Sequence, residues 1–348
     1  MENMRYIEKT DFKNKNFILK ILMLLLCLGA LIFASFLIGR YQFTLRTLLD
    51  IFASRFTEVE RYWEKTLEVV ILQVRFPRII LAVLVGGALS ISGASYQTLF
   101  KNPMVSPDIL GVSAGAGFGA ALAMINDANW IEIQLCAFVF GLLAVSIAYI
   151  ISHVFGGQSI TILVLAGVVT SSFFQALLSI VKTLADTDNE LPSITFWLMG
   201  SLSRATNRDV LIMLPALCIS LFLLYFFRHQ INALSAGEDV VQTMGVNVPL
   251  VKLVIVISST LMTVVSVGIC GIIGWIGMVI PHLARMITGA DYNKMASVSF
   301  LVGGFFLLLV DNVIRGVENV ELPLGVLTAL IGTPVFVILL GKTRQGWN

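Results

Sequence analysis

The sequence predicts an all-α integral membrane protein, a single domain built from ten transmembrane helices. Hydrophobic residues make up 57% of the 348 residues and charged residues 13%, against roughly 45–50% and 25% in soluble domains. The mean hydropathy is +0.90. Apolar runs near the roughly 20 residues that cross a bilayer occur over residues 17–38, 79–100, 109–125, 131–155, 160–181, 209–227, 253–273, 274–288, 296–314 and 324–341.

The first predicted span, 17–38, follows a stretch rich in basic residues, as a signal peptide would. Its nearly uninterrupted apolar run exceeds the roughly 7–15 residues of a signal-peptide core, and no small-residue cleavage site follows. We therefore expect it to be retained as a transmembrane helix.

Two further segments are too polar or too short to cross a membrane. Residues 41–68 mix apolar side chains with many charges, which predicts an amphipathic helix lying at the outer interface. Residues 193–199, ended by Gly200, predict one or two helical turns at the same face.

The third span opens with a stretch rich in small residues, in which Gly111, Gly115 and Gly119 recur every fourth position. In lipid, helices associate by bringing their backbones close together, and small residues at this spacing permit it. The pattern predicts a helix packed tightly among other helices.

Residues 253–288 are too many for one span and few for two, and glycines recur every third residue from Gly268 to Gly277. Both termini are basic, which favours an even number of spans with both termini in the cytoplasm. We therefore expect a break between spans 253–273 and 274–288.

A short cytoplasmic helix is predicted over residues 235–245. Ser235 followed by Glu238 forms a capping-box pattern, and Gly245 suits the position after the last helical residue. Val240, Val241 and Met244 would share one face. From these residues alone, a connector packed on its own bundle and a surface offered to a partner both remain open.

Catalytic and cofactor chemistry is absent from the sequence. GKT at 341–343 is not a phosphate-binding loop, because Phe336 stands where the required first glycine would be. The histidines and cysteines are scattered without metal-ligand spacing. The net charge of +2 is dispersed over many loops and does not indicate nucleic acid as a partner.

Energy coupling by an ion gradient is also disfavoured. Ion-coupled transporters use ionisable groups near the membrane centre, whereas Asp311, Glu318 and Glu321 cluster near one outer boundary. Many hydroxyl residues lie within the spans. They either bond to their own helix backbone or line a weakly polar passage.

Several motifs together resemble the permeases of iron-siderophore and vitamin B12 ABC importers, the FecCD type. They are, in order, RFPRIILAVLVGGALSISGASYQTLFKNPMVSPDILGVSAGAGFG, GEDVVQTMGV, GIIGWIGMVIPHLARMITGADYN, DNVIRG and ELPLGVLTALIGTPVFVILL. The resemblance covers residues 17–342. Met104 and Asn312 are small departures from the family pattern.

The resemblance implies the ten-helix type II importer architecture in a bacterial or archaeal cytoplasmic membrane, with both termini cytoplasmic. Two permease subunits, identical or paralogous, would surround a passage within membrane lipid. Two cytoplasmic ATPase subunits would bind ATP and Mg, so that no cofactor resides in this chain and it is not itself an enzyme. An extracytoplasmic binding protein would deliver the ligand.

Site residues follow from the same resemblance. Arg75, Arg78 and Arg315 lie just outside spans and by themselves suggest side chains that anchor helix ends. The resemblance makes them docking residues for carboxylates of the binding protein, which suit a planar guanidinium. It also makes the 235–245 helix the coupling helix, with candidate residues Gly237, Glu238, Val240, Val241, Met244 and Gly245.

The function expected from the sequence is therefore that of a permease subunit importing a ferric siderophore. Cobalamin, haem and molybdate import are alternatives within the family, and an ion-coupled secondary transporter is an alternative of another class. A membrane-embedded enzyme has no catalytic constellation to support it.

Overall fold

The structure is a computed structural model that describes residues 2–39, 41–156, 159–235, 237–317 and 322–343. Within these ranges the chain is mostly helical and forms no strand. The helices are α1 (Glu2–Leu37), α2 (Leu45–Ala53), α3 (Lys65–Val69), α4 (Phe76–Leu99), α5 (Val112–Met124), α6 (Trp130–Gly156), α7 (Ile160–Leu184), α8 (Glu190–Leu198), α9 (Asn207–Phe226), α10 (Arg228–Leu234), α11 (Glu238–Thr243), α12 (Val248–Cys270), α13 (Ile276–Thr288), α14 (Tyr292–Gly316) and α15 (Leu324–Thr343).

Among the described residues, seven helical stretches are long and apolar enough to cross a membrane. They are Phe17–Leu37, Lys65–Leu99, Trp130–Gly156, Ile160–Leu184, Asn207–Phe226, Val248–Cys270 and Tyr292–Gly316. The shorter apolar helices are Val112–Met124, Ile276–Thr288 and Leu324–Leu339. Each of the ten apolar runs in the sequence coincides with one of these helices.

The helix of the second span is longer than its apolar run. It continues from Lys65 to Leu99 over 35 residues, and the π-helical turn Val70–Arg75 joins α3 to α4. Pro77, two residues beyond the end of this turn, has no N–H to donate back to it, which removes one helical hydrogen bond.

The prediction of one amphipathic helix over residues 41–68 is wrong in extent. Thr44 caps α2 through a hydrogen bond from the Thr47 N–H, and α2 ends at Ala53. Leu48 and Ile51 on its apolar face are buried in the main hydrophobic core, so protein rather than lipid covers them.

Helix α4 is the centre of the bundle and packs through glycine. Gly86 crosses Gly303 of α14 so closely that a Cβ on either residue would overlap the other's carbonyl oxygen. A Cβ on Gly93 would likewise overlap the carbonyl of Gly277 in α13. Such contacts replace the hydrophobic effect as the force that associates helices in lipid.

The glycines of α5 behave as their spacing predicts. Gly115 and Gly119 lie against backbone carbonyls of α6, and a Cβ on either residue would overlap them. Gly111 precedes the helix with φ +86°, a left-handed conformation that favours glycine.

The chain breaks between α12 and α13, over residues 271–275. Gly271 has φ +70° and Trp275 has φ +71°, which ends one helix before the next begins. The carbonyl of Cys270 accepts a hydrogen bond from the Ser201 N–H (2.8 Å). Non-helical backbone inside a membrane bundle needs this kind of partner from the protein itself.

Two ends of the bundle can be distinguished. At the arginine end, defined by Arg75, Arg78 and Arg315, the side chain of Arg75 reaches the end of α1. At the α11 end, where α10 and α11 lie, Lys20 Nζ of α1 donates to the Ile287 carbonyl of α13 (3.1 Å).

Candidate docking and coupling sites

Arg75 is buried at the arginine end and holds the last turn of α1. Its guanidinium donates to the Phe36 carbonyl and, at 2.7 Å, to the Tyr41 carbonyl. The guanidinium carbon also lies 4.8 Å from the centre of the Phe43 ring. A cation at a helix C-terminus satisfies carbonyls that have no partner within the helix, so Arg75 joins α1 to the α3–α4 helix.

Arg78 and Arg315 share one carboxylate. Asp311 is 0% exposed, and its Oδ1 accepts from Arg78 Nε at 2.9 Å and lies 2.8 Å from Arg78 Nη2. Its Oδ2 lies 3.0 Å from Arg315 Nε, an ion pair without hydrogen-bond alignment. The two arginine side chains are only 14% and 9% exposed.

Arg315 also contacts α1. Its Nη1 donates to the Ser35 carbonyl at 3.0 Å, and its Nη2 donates to Asn312 Oδ1. The Asn312 amide in turn donates to Ser35 Oγ at 2.6 Å. Asn312 thus belongs to the hydrogen-bond network that joins α14 to α1.

The structure therefore brings the three sequence-predicted arginines together around a recess of about 250 Å³. Three guanidinium charges against the single charge of Asp311 leave a net charge of +2 (3 − 1) in this cluster. Each arginine also has an internal partner, as helix-end anchors would have. Glu318 and Glu321 lie outside the described residues.

At the α11 end, the predicted capping box does not form. Ser235 ends α10 and donates its hydroxyl to the Asn232 carbonyl at 2.7 Å. Glu238 pairs instead with the buried Lys252 of α12 at 2.8 Å. A charged partner forms a stronger hydrogen bond than a backbone N–H does, so α11 begins after Gly237 (φ +127°) without a side-chain cap.

The side chains predicted to form one apolar face of α11 differ in their exposure. Val241 is 0% exposed and belongs to the main core, so its assignment to an outward surface is wrong. Met244 is 67% exposed. Gly245 follows with φ +76° and ends the helix as predicted. The side chain of Val240 lies outside the described residues.

Helix α10, which the sequence did not single out, links this end to the bundle centre. Asn232 Oδ1 accepts from the Tyr292 N–H of α14 at 2.9 Å. The Tyr292 hydroxyl is hydrogen-bonded to Ser95 Oγ of α4 at 2.8 Å. An asparagine shortly after a basic residue at the start of a helix is a common pattern. It could not have predicted the contact between Asn232 and Tyr292.

Most of the hydroxyl groups within α4 and α12 do not line an open passage. Ser92 Oγ donates to the Ser259 carbonyl at 2.9 Å and pairs with Thr263 Oγ1 at 2.9 Å, so these groups join the two helices internally. All three residues are buried.

Helix α7 instead presents polar side chains to its surroundings. Ser172, Gln175, Ser179 and Thr183 are all exposed and follow one another at spacings of three and four residues, which places them on one face. We call this set the α7 polar stripe. Its 3.6-residue period is visible in the sequence and could have identified it.

The exposed face of α1 is different, because it is apolar from Leu22 to Leu26. Only 6% of the α1 span is buried, as expected of a helix that faces lipid. Ser172, Ser179 and Thr183 donate their hydroxyls to carbonyls of their own helix, as hydroxyl residues in membrane helices do. Gln175 is the member of the α7 polar stripe whose side-chain amide would need hydrogen-bond partners that lipid does not supply.

The described residues contain no group of three or more His, Cys, Asp or Glu side chains that could hold a metal ion. A bundle of apolar helices with its arginine cluster at one end and a short polar helix pair at the other is the architecture of a multi-pass membrane protein. The model of the FecCD transport family matches residues 24–342, and the chain belongs to this family. It is thus a permease of the ABC-importer type.

Relatives agree with this assignment. The molybdate import permease MolB of Haemophilus influenzae is 37% identical over 326 residues, covering 93% of this chain and 95% of that protein. A probable iron chelatin permease of Helicobacter pylori is 39% identical over 280 residues, covering 80% and 84%. An inward-facing ABC transporter structure assigned to the metal-chelate type superimposes with a TM-score of 0.82 at 35% identity, covering 92% and 98%.

Proposed function

We propose that this permease imports a metal chelate, with a ferric siderophore as the first candidate substrate. The observation that carries the proposal is family membership over nearly the whole chain together with relatives named for iron chelatin. Molybdate is the second candidate, because MolB is similar over 93% of the chain. Cobalamin and haem remain alternatives.

Radiolabelled uptake distinguishes these candidates. Cells lacking the permease gene are compared with complemented cells for uptake of a ⁵⁵Fe-siderophore panel, ⁹⁹Mo-molybdate and labelled cobalamin. Iron uptake restored by complementation supports the first candidate. Restoration of molybdate uptake alone would replace it with the second.

The energy source is proposed to be ATP bound with Mg to a partner ATPase, so that this chain hydrolyses nothing. An ion-coupled secondary transporter is the competing function. Uptake by vesicles containing the reconstituted complex should require internal ATP and survive a protonophore. If an ion gradient drives uptake in vesicles that lack the ATPase, the protein is an ion-coupled secondary transporter.

The α7 polar stripe is proposed to face the passage between this subunit and a second permease subunit, identical or paralogous. The support is energetic, since Gln175 in contact with lipid would leave amide groups without hydrogen-bond partners. Proximity of two such stripes can be measured by cross-linking single cysteines at position 175 in the assembled complex. Absence of any cross-link across the pair would contradict this placement.

Docking of the binding protein is proposed at the arginine end. The supporting features are the excess positive charge of the arginine cluster and its recess. Arg78→Gln should weaken association with the loaded binding protein at physiological salt, since losing one partner of a buried charge pair costs about 2–5 kcal/mol.

Arg78 also pairs with Asp311, so a matched control is needed. Arg46→Gln removes a cation from the same end whose side chain is 87% exposed, and we expect nearly unchanged affinity. A Glu→Arg change on the binding protein should be rescued by Arg78→Glu. If neither Arg78 variant alters affinity in folded protein, the arginines only anchor helix ends.

Coupling to the ATPase is proposed at Met244, the exposed apolar residue that directly follows α11. Met244→Asp should uncouple ATP hydrolysis from ligand delivery, because an ATPase groove that takes an apolar side chain would exclude a carboxylate. Met104→Asp serves as the control, since Met104 is also exposed and lies in the α4–α5 connection at the same end. Equal coupling in both variants would leave α11 as a connector.

A further inference from the structure

A groove lies on the surface between α1, α9 and α14. Its volume is about 640 Å³, within the roughly 300–1,000 Å³ typical of ligand sites. Ile91 of α4 lies along it and is buried. The other walls include Leu25 of α1, Leu221 of α9 and Phe300 of α14. We call it the α1–α9–α14 groove.

The groove is apolar along most of its length and polar at the α11 end. Arg228, Asn293 and Ser297 supply the polar part of its lining. These residues lie at or near the helix ends where α9 finishes and α14 starts, so the polar part lies at the level of lipid headgroups. The apolar part extends from there toward the bilayer centre.

Arg228 is available to an anion. Its guanidinium lies 3.9 Å from the centre of the Tyr225 ring, and its Nη1 donates to the Tyr225 carbonyl at 3.0 Å. It has no carboxylate partner within the part of the chain that the structure describes. Stacking on the ring fixes the side chain while several of its N–H groups remain free.

Asn293 contributes polar surface to the same part of the groove. Its Nδ2 donates to Asp291 Oδ1 at 3.3 Å, and its Oδ1 is enclosed by the protein. Arg228 is therefore the group of the polar part that can pair with an anion.

We propose that the α1–α9–α14 groove binds an anionic phospholipid such as phosphatidylglycerol. The phosphate pairs with Arg228, and an acyl chain lies along the apolar walls. Basic pockets between transmembrane helices recognise anionic headgroups in this way. In the proposed orientation of the permease, the lipid belongs to the cytoplasmic leaflet.

Lipid is the occupant that the surroundings favour. Only 6% of the α1 span that forms one wall is buried, and its side chains from Leu22 to Leu26 are apolar. Phe222 and Tyr225 of the opposite wall are also exposed. A second permease subunit would more favourably cover the α7 polar stripe, where the Gln175 amide would lack hydrogen-bond partners in lipid.

Native mass spectrometry of the purified full-length permease tests the proposal. The protein is titrated with phosphatidylglycerol or phosphatidylcholine of the same acyl chains, and one-lipid adducts are counted. We expect wild type to retain phosphatidylglycerol about fivefold more strongly, since one basic residue contributes about 1 kcal/mol toward an anionic lipid. Arg228→Gln should abolish this preference.

Matched variants separate the groove from general lipid contact. Arg208→Gln removes an exposed cation from the opposite end of α9 and should retain the preference. Ser297→Trp should fill the groove and reduce retention of both lipids, whereas Ser146→Trp, on the exposed surface of α6, should not. Equal retention of the two lipids by wild type, or an unchanged preference in Arg228→Gln, would overturn the proposal.

Discussion

Replacing Asp311 with Asn tests the ion-pair cluster at the arginine end. The substitution keeps the shape of the side chain and removes its charge. Arg78 and Arg315 would then face each other across a neutral amide. Their side chains are 14% and 9% exposed, so water can screen them only weakly.

The contacts determine the expected magnitude. Asp311 is 0% exposed and meets Arg78 at 2.8 Å and Arg315 at 3.0 Å. Removing one partner of a buried ion pair costs about 3–5 kcal/mol, because the remaining charge stays buried without compensation. We therefore expect Asp311→Asn to lower the free energy of unfolding by about 3–5 kcal/mol.

The assay is equilibrium unfolding of the purified permease in mixed micelles, followed by circular dichroism as a denaturing detergent is added. Arg46→Gln is the control, because its partner lies 3.8 Å away on the surface and Arg46 is 87% exposed. Exposed pairs contribute about 0–1 kcal/mol, so this variant should resemble wild type.

A double substitution makes the test sharper. Asp311→Asn combined with Arg78→Gln removes one of the unpaired cations, so its cost should be smaller than the sum of the single costs. Strict additivity, or an Asp311→Asn variant within about 1 kcal/mol of wild type, would refute the reasoning. The pair would then be an incidental contact.

Three further predictions concern topology, packing and the passage. Single cysteines at Lys13 and Arg344, in a variant without the native four, should resist an impermeant thiol reagent in intact cells while one at Glu60 reacts; labelling at only one terminus would show an odd number of spans. Gly93→Ala should lower the unfolding free energy by about 1–3 kcal/mol, because its Cβ would overlap α13, and unchanged stability would contradict that contact. Gln175→Leu should reduce uptake with little loss of folded protein, whereas unchanged uptake would place the α7 polar stripe away from the passage.

The sequence by itself determined which segments form membrane helices. A bilayer requires apolar runs of a set length, and backbone groups within it must pair inside the helix. These constraints act locally, so the ten apolar runs coincide with helices in the structure. The glycines near Gly271 were compatible with a break or with a packed helix face, and the basic termini favoured the break. Glycine readily adopts the φ of +70° found at Gly271.

Local sequence patterns did not predict the contacts of a side chain where a distant segment of the chain also binds it. Ser235 and Glu238 have the spacing of a capping box, yet Lys252 binds Glu238. Val241 has the period of an outward face, yet the bundle buries it completely. In both cases a partner distant in sequence offered the better contact.

Only the tertiary structure decided which charges meet. Asp311 and Arg78 are separated by 233 positions in the chain, and no spacing rule connects them. Their contact depends on how α14 is rotated and positioned against α4, which the Gly86–Gly303 crossing governs. The sequence could place three arginines at helix ends, but their inward orientation follows from helix packing, because a buried cation needs a carboxylate or carbonyl that another helix supplies.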